Sequence, residues 1–144
     1  MKSDDKAPIR TISQNQLGSV GRFGENAAAE YLTAQGFSIL QRNIKFGKHE
    51  IDIVAEDEKT VIFVEVKSRT VSDYQGISRF GGAASAVTGE KQRNTVEAAR
   101  EYIRQYKPHK FKRIDVIEVY VDKSPEGMTV NRINHIRNAF GAGR

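Results

Sequence analysis

Cysteine is missing from all 144 residues. Disulfides, thiolate metal sites and a cysteine nucleophile are therefore excluded. No apolar run approaches the ~20 residues that cross a bilayer. The opening stretch, MKSDDKAPIRTISQNQLGS, lacks the apolar core of a signal peptide. These absences set the expectation of a cytoplasmic protein with no membrane association. Internal repeats are absent too. The Gly81-Gly82 pair lacks the spacing of a phosphate-binding loop.

The chain is long enough for one domain with a sizeable core. Hydrophobic residues make up 38% and charged residues 28%, ordinary values for a globular protein. The formal charge is +5, which favours anionic partners such as nucleic acid. Much of the excess lies between Glu90 and Arg113. There Lys91, Arg93, Arg100, Arg104, Lys107, Lys110, Lys112 and Arg113 face only Glu90, Glu97 and Glu101. Such a stretch reads either as a solvated helix face or as a grip on a phosphate backbone.

Residues 1–17 are polar and aperiodic, and are expected to form a flexible tail ahead of a single domain over 18–144. Phe23, Ala27, Tyr31 and Ala34 recur at helical spacing, widened by Ala28 and Leu32, and predict a helix over 21–35 that Gly36 ends. Three strands follow: FSILQRNIKF with Gly47 as its turn, EIDIVAED, and TVIFVEVKSR, the last two joined by a polar EDEKT turn. Residues 70–89 are glycine-rich and aperiodic, and are expected to be a mobile functional loop. A second helix over 90–106 has Val96, Ala99, Ile103 and Tyr106 as its expected core face, with Pro108 beyond its end. RIDVIEVYV is a fourth strand, SPEGMTVNRI a turn with a short strand, and INHIRNAF a closing short helix. Short connections allow the first three strands to form a meander. The fourth arrives through a helix and can pair in parallel. The expected class is α/β: a mixed central sheet in the order helix-strand-strand-strand-helix-strand, flanked by helices.

Charge within the apolar strands needs a reason, because burying an unpaired charge is costly. On the third strand Glu65 and Lys67 share a face with Val61 and Phe63. Alternation likewise puts Glu50 and Asp52 on one face of the second strand. The turn sets Asp52 and Glu65 at comparable distances from the hairpin tip, as cross-strand neighbours. Two such carboxylates repel unless a cation lies between them. An oxygen-only donor set suits Mg²⁺ or Mn²⁺. Lys67 could then hold an attacking water or offset charge developing on a phosphate. Asp52, Glu65 and Lys67 together have the parts that metal-assisted phosphodiester hydrolysis needs. The plainer reading is an exposed Glu–Lys pair with Asp52 at a turn.

The blocks GRFGENAAAEYLTAQGFSILQRN, HEIDIVAEDEKTVIFVEVKSR, RIDVIEV and INHIRNAF, in this order over roughly residues 18–141, resemble the YraN-like family of small bacterial proteins. That family resembles archaeal Holliday-junction resolvases, within the PD-(D/E)xK or restriction-endonuclease-like superfamily. The resemblance implies a restriction-endonuclease-like core with Asp52 on the second strand, Glu65-Val66-Lys67 as the E-x-K, and Glu25 as the helix acid and a further metal ligand. Glu25 reads equally as a helix-start residue favoured by the macrodipole. Glu50 ranks below Asp52 as a ligand. Where the family has glycine before E-I-D this chain has His49, either a phosphate contact or a polar strand-end residue. The expectation is a Mg²⁺- or Mn²⁺-dependent nuclease on DNA, with Lys91, Arg93, Arg100 and Arg104 contacting phosphates. The resolvase likeness also hints at a homodimer. The alternative is a nucleic-acid-binding or partner-binding module on the same fold that does not cut.

Overall fold

The computed structural model describes residues 19–71 and 89–140. The expected N-terminal tail, and nearly all of the loop expected over 70–89, lie outside the described residues. Helix α1 spans Val20–Ala34, and strands β1, β2 and β3 span Ser38–Phe46, His49–Glu56 and Thr60–Thr70. Helix α2 spans Gly89–Tyr106, followed by β4 at Phe111–Ser124 and β5 at Gly127–Ile136. The five strands form one sheet in sequence order. The β1-β2-β3 meander is antiparallel, β4 joins β3 in parallel, and β5 closes antiparallel on β4. The parallel pairing is the one for which the chain must return through a helix.

Among the described residues each sheet face carries one helix. Phe23, Ala27, Ala28 and Leu32 of α1 pack on Ile53, Ala55, Ile62, Val64, Ile117 and Val119. Ala98, Ala99 and Tyr102 of α2 pack on Ile51, Val54, Val61, Phe63 and Ile114. The sheet centre is therefore apolar on both sides, as the Val/Ile-rich sequence of β3 implies. The helix stripes differ a little from their expected form. Ala34 is exposed, and α2 buries Thr95, Ala98, Ala99 and Tyr102, while Tyr106 is 51% exposed and stacks on Tyr102. Gly36 and Gly47 take positive φ at the helix end and hairpin turn, as expected. In the EDEKT turn the Asp57 carboxylate accepts from the Lys59 and Thr60 amides.

The expected closing helix is not formed. Ile133 to Ile136 continue β5, and Asn138 turns the chain with φ 52°. β4 is buried from Ile114 to Val121, so its backbone groups need ladder partners on both sides. A long strand supplies them where a two-turn helix would not, and helices that short are marginal by themselves.

Helix α1 approaches β3 closely at Gly24. A Cβ there would lie 1.9 Å from Ser68 Oγ and 2.9 Å from Ser68 Cβ. This contact sets Glu25 beside the end of β3. Gly24→Ala should destabilise the fold by about 1–3 kcal/mol through overpacking. Adding Ser68→Gly in the same chain should recover most of that loss. Denaturant unfolding of the two variants checks both expectations.

Candidate functional site

The β2-β3 ladder ends where the charges begin. Its last pair is Ile53 with Val64, so continuing the register sets Asp52 opposite Glu65. Beyond that pair the strands part, and the Val66 amide has no β2 carbonyl to meet. The Asp52 carboxylate takes its place, with Oδ2 accepting from Val66 N at 2.8 Å. Strict alternation also breaks here. Ile51 packs in the α2 core and Ile53 in the α1 core, although they are two residues apart. On the neighbouring strand Asn43 adopts φ 53°, and the β1-β2 pairing skips from Arg42–Ile53 to Ile44–Ile51. The kink replaces the regular alternation expected for Glu50 and Asp52, yet both acids line one open cleft of about 400 Å³.

Glu25, Asn43, Lys67 and Arg69 line the same cleft. Glu25 Oε2 accepts from Arg42 Nε at 3.0 Å and from Asn43 Nδ2 at 2.9 Å, so the kinked strand β1 holds the helix acid in place. Among the described residues Glu50 makes only a long pair with the exposed Lys45, at 3.9 Å. Glu65 does not line the cleft. It is buried, with Oε2 3.4 Å from Lys91 Nζ and Oε1 without a hydrogen-bond partner among the described residues. His49 Nδ1 is likewise buried without a partner among them.

The electrostatics tie the two central carboxylates together. Burial pushes Asp52 up to about 6, with the charges of Glu25 and Glu50 adding to it and the Val66 amide and Lys91 opposing it. Burial pushes Glu65 up to about 7, reinforced by the Asp52 charge and opposed by Lys91 and Lys67. Burial and mutual repulsion outweigh the positive charge that Lys91 and Lys67 bring to them. Among the described residues no three His, Asp or Glu side chains form a ready cage for an ion. The donors present are two carboxylates, one with an orphaned buried oxygen. That set fits Mg²⁺, which takes one or two protein carboxylates and keeps its other positions for water and phosphate.

The expected phosphate contacts of α2 are divided. Lys91 pairs with the buried Glu65. Arg100 and Arg104 pair with Glu97 and Glu101 one turn back on the same helix. Arg93 and Arg100 line a second groove, of about 510 Å³, with Gln92, Asn94 and Phe140. Exposed ion pairs of the Arg100 kind are worth little, so such a guanidinium can be given up to a phosphate.

Two groups here escape sequence reasoning. Arg69 lines the cleft with a buried Nε that has no partner among the described residues, and its position two residues past Lys67 is the available signal. Glu118 aligns with Lys67 in the parallel β3-β4 register and is wholly buried, with neither carboxylate oxygen partnered among the described residues. Its place two residues after Val116 on an apolar strand is the available signal.

The charge pattern fixes a pH dependence. Folding raises Asp52 from 3.8 and Glu65 from 4.5, so their ionisation opposes folding. Their favourable contribution is complete below about pH 4 and is lost as pH rises through 6 to 7. Asp115 runs the other way. It is buried, which raises its pKa, but hydrogen bonds from His135, Arg113 and the Asn138 amide together hold it below 3.8. Its contribution is present above about pH 4 and is lost as pH falls through its lowered folded value. Stability should therefore decline between about pH 4 and pH 7 by a few kcal/mol, because each tenfold change in a proton-binding constant is worth ~1.4 kcal/mol. Millimolar Mg²⁺ should offset the decline, and Asp52→Asn should flatten it. Unfolding midpoints across pH, with Mg²⁺ or EDTA, measure all three.

The family model described as "Uncharacterised protein family UPF0102" matches residues 24–119, from the close-packed start of α1 to the buried half of β4. A UPF0102 protein of Caldanaerobacter subterraneus subsp. tengcongensis is 41% identical over 92% of this chain and 100% of its own. One of Symbiobacterium thermophilum is 41% identical over 85% of this chain and 97% of its own. One of Chlorobium phaeobacteroides is 37% identical over 84% and 93%. The match covers well over half of the chain, and the chain belongs to the UPF0102 family.

Proposed function

We propose that the protein is a metal-dependent endonuclease acting on DNA phosphodiesters, built on a restriction-endonuclease-like core. The observation that carries this reading is the meeting of Asp52, Glu65 and Lys67 where β2 and β3 part. Two acids are held there, Asp52 half-buried and bound to a backbone amide, Glu65 buried with an oxygen left unpartnered among the described residues. A purely structural site has no need of that arrangement. Buried polar groups without partners are rare, and in native proteins they mark strain, catalysis or a missing ion.

Asp52 and Glu65 would hold a Mg²⁺ or Mn²⁺ ion. When bound, the ion supplies a Lewis acid for the phosphoryl oxygen and lowers the pKa of water. Lys67 is in no ion pair among the described residues, so its ammonium is free to orient an attacking water and offset charge on the phosphate. Glu25 helps from α1, with one oxygen committed to Arg42 and Asn43. Arg69 at the cleft and Arg93 and Arg100 in the second groove receive the phosphate backbone. Such contacts carry no sequence information, so the substrate is recognised by shape. Cutting both strands of a branched DNA takes two sites, which a homodimer supplies.

One observation favours a different reading. Lys91 already gives Glu65 a positive partner, and a binding module that never uses metal could hold its carboxylates in that way. Incubation with branched, flapped, single-stranded and duplex DNA in Mg²⁺, Mn²⁺ or EDTA separates the two. Metal-dependent cutting of any of them supports the nuclease, and binding without cutting supports the module. Lys67→Ala should abolish cleavage, by about 10²-fold or more, while leaving the fold and most DNA affinity intact. Unimpaired cutting by that variant would remove Lys67 from the chemistry. Neutralising Arg93 and Arg100 together should weaken DNA binding and flatten its salt dependence, by about one unit of slope for each phosphate no longer neutralised. Filter binding over a salt series measures the slope.

A further inference from the structure

The Lys91–Glu65 pair crosses from the first turns of α2 to the buried end of β3. Its carboxylate is 3% exposed and its lysine 38% exposed, so one partner is fixed and the other can move. The charge of Lys91 also lowers the pKa of Asp52, the acid on the opposite strand. Lys91 is thus a positive charge shared by both carboxylates. Lys67 also lowers the pKa of Glu65, but forms no ion pair with it.

We propose that Lys91 is the resident counter-ion of the carboxylate pair, and that a divalent cation gains the site by displacing its ammonium from Glu65. The inference rests on the metal-binding reading above and deepens it. It assigns Lys91 a role distinct from the phosphate contact its place in a basic helix suggests. Three features support it. Glu65 Oε2 is the oxygen engaged by Lys91, while Oε1 is buried and unpartnered among the described residues, so the carboxylate has one side taken and one side open. The 3.4 Å separation is longer than a tight charge-assisted hydrogen bond, as suits a contact that must be released. A lysine ammonium is a compact point charge on a flexible stem, and at 38% exposure the stem can swing outward to solvent. The exchange puts two positive charges where one stood, which suits a pair of carboxylates better than a single ammonium does. Lys91 is a positioning residue in this account, holding Glu65 in place before the metal binds.

The test is Mn²⁺ binding to the full chain, counted by electron paramagnetic resonance without DNA. Lys91→Met removes the competitor and should tighten Mn²⁺ by about tenfold, while Lys91→Arg, which keeps a cation there, should stay near wild type. In a Glu65→Gln background the contact no longer exists, so Lys91→Met should then change affinity by less than about twofold. Equal or weaker binding by Lys91→Met would overturn the proposal. So would a full tenfold gain that persists with Glu65→Gln, since the effect would then be general electrostatics. Lys91→Gln replaces the methionine variant if circular dichroism shows that the latter does not fold. If wild type binds Mn²⁺ and Lys91→Met does not alter it, only the displacement falls. If neither binds Mn²⁺, the displacement and the metal-dependent reading fall together.

Discussion

The hydrogen bond from the Val66 amide to Asp52 is the contact on which the site depends. Two antiparallel strands can part only if the amides they leave behind find other acceptors. Here a side chain supplies the acceptor, and it is an acid. The backbone is satisfied by the same group that faces the cleft, so chain path and chemistry cannot be separated at this position. A neutral acceptor would serve the amide. The carboxylate also brings a charge that burial resists, which raises its pKa, and brings it within reach of Glu65. The arrangement makes the native state less comfortable at neutral pH, a cost that proteins tend to carry at functional sites.

Asp115 offers the contrast. Both it and Glu65 are buried acids on adjacent strands. Asp115 accepts from Arg113 Nε at 2.9 Å and from the Asn138 amide at 2.9 Å, and its Oδ2 lies 2.7 Å from His135 Nε2. His135 in turn contacts the Tyr31 hydroxyl, so the network joins α1, β4 and β5. Every lone pair that matters is met, and the pKa falls despite burial. That is how a carboxylate looks when its work is to hold elements together. Glu65, with an orphaned oxygen and a raised pKa, looks like one waiting for a charge. Burial alone would not distinguish them; hydrogen-bond satisfaction does.

Much of the fold is legible in the sequence because its signals are local. The alanines and Phe23 mark α1, the polar EDEKT turn marks the hairpin, and the helix before β4 permits parallel pairing. The charged triad is legible because E-x-K in an apolar strand violates the expected pattern. What escapes depends on tertiary partners. Residues 133–136 join β5 because buried β4 needs a neighbour, a demand made by a strand far from them along the chain. Lys91 reads as one more surface cation because helical periodicity does not tell which lysine reaches across to a buried acid. The Asp52 kink escapes because alternation assumes a regular strand, and it lies beside the positive φ of Asn43 on the next one.

Glu118 shows how far the same reasoning extends across the sheet. In parallel strands, residues in register project to the same side, so Glu118 stands beside Lys67 on the face that bears Glu65. Its carboxylate is wholly enclosed without a hydrogen bond among the described residues. An apolar residue of similar size would pack there at no electrostatic penalty. The nearest basic residue in the sheet register is Lys67, the same lysine that bears on Glu65. Lys67 therefore stands between two buried acids on neighbouring strands while pairing with neither. An ammonium in no ion pair among the described residues is less firmly held than one locked in a bridge. That is the condition a lysine must meet if its charge is to follow a reacting phosphate.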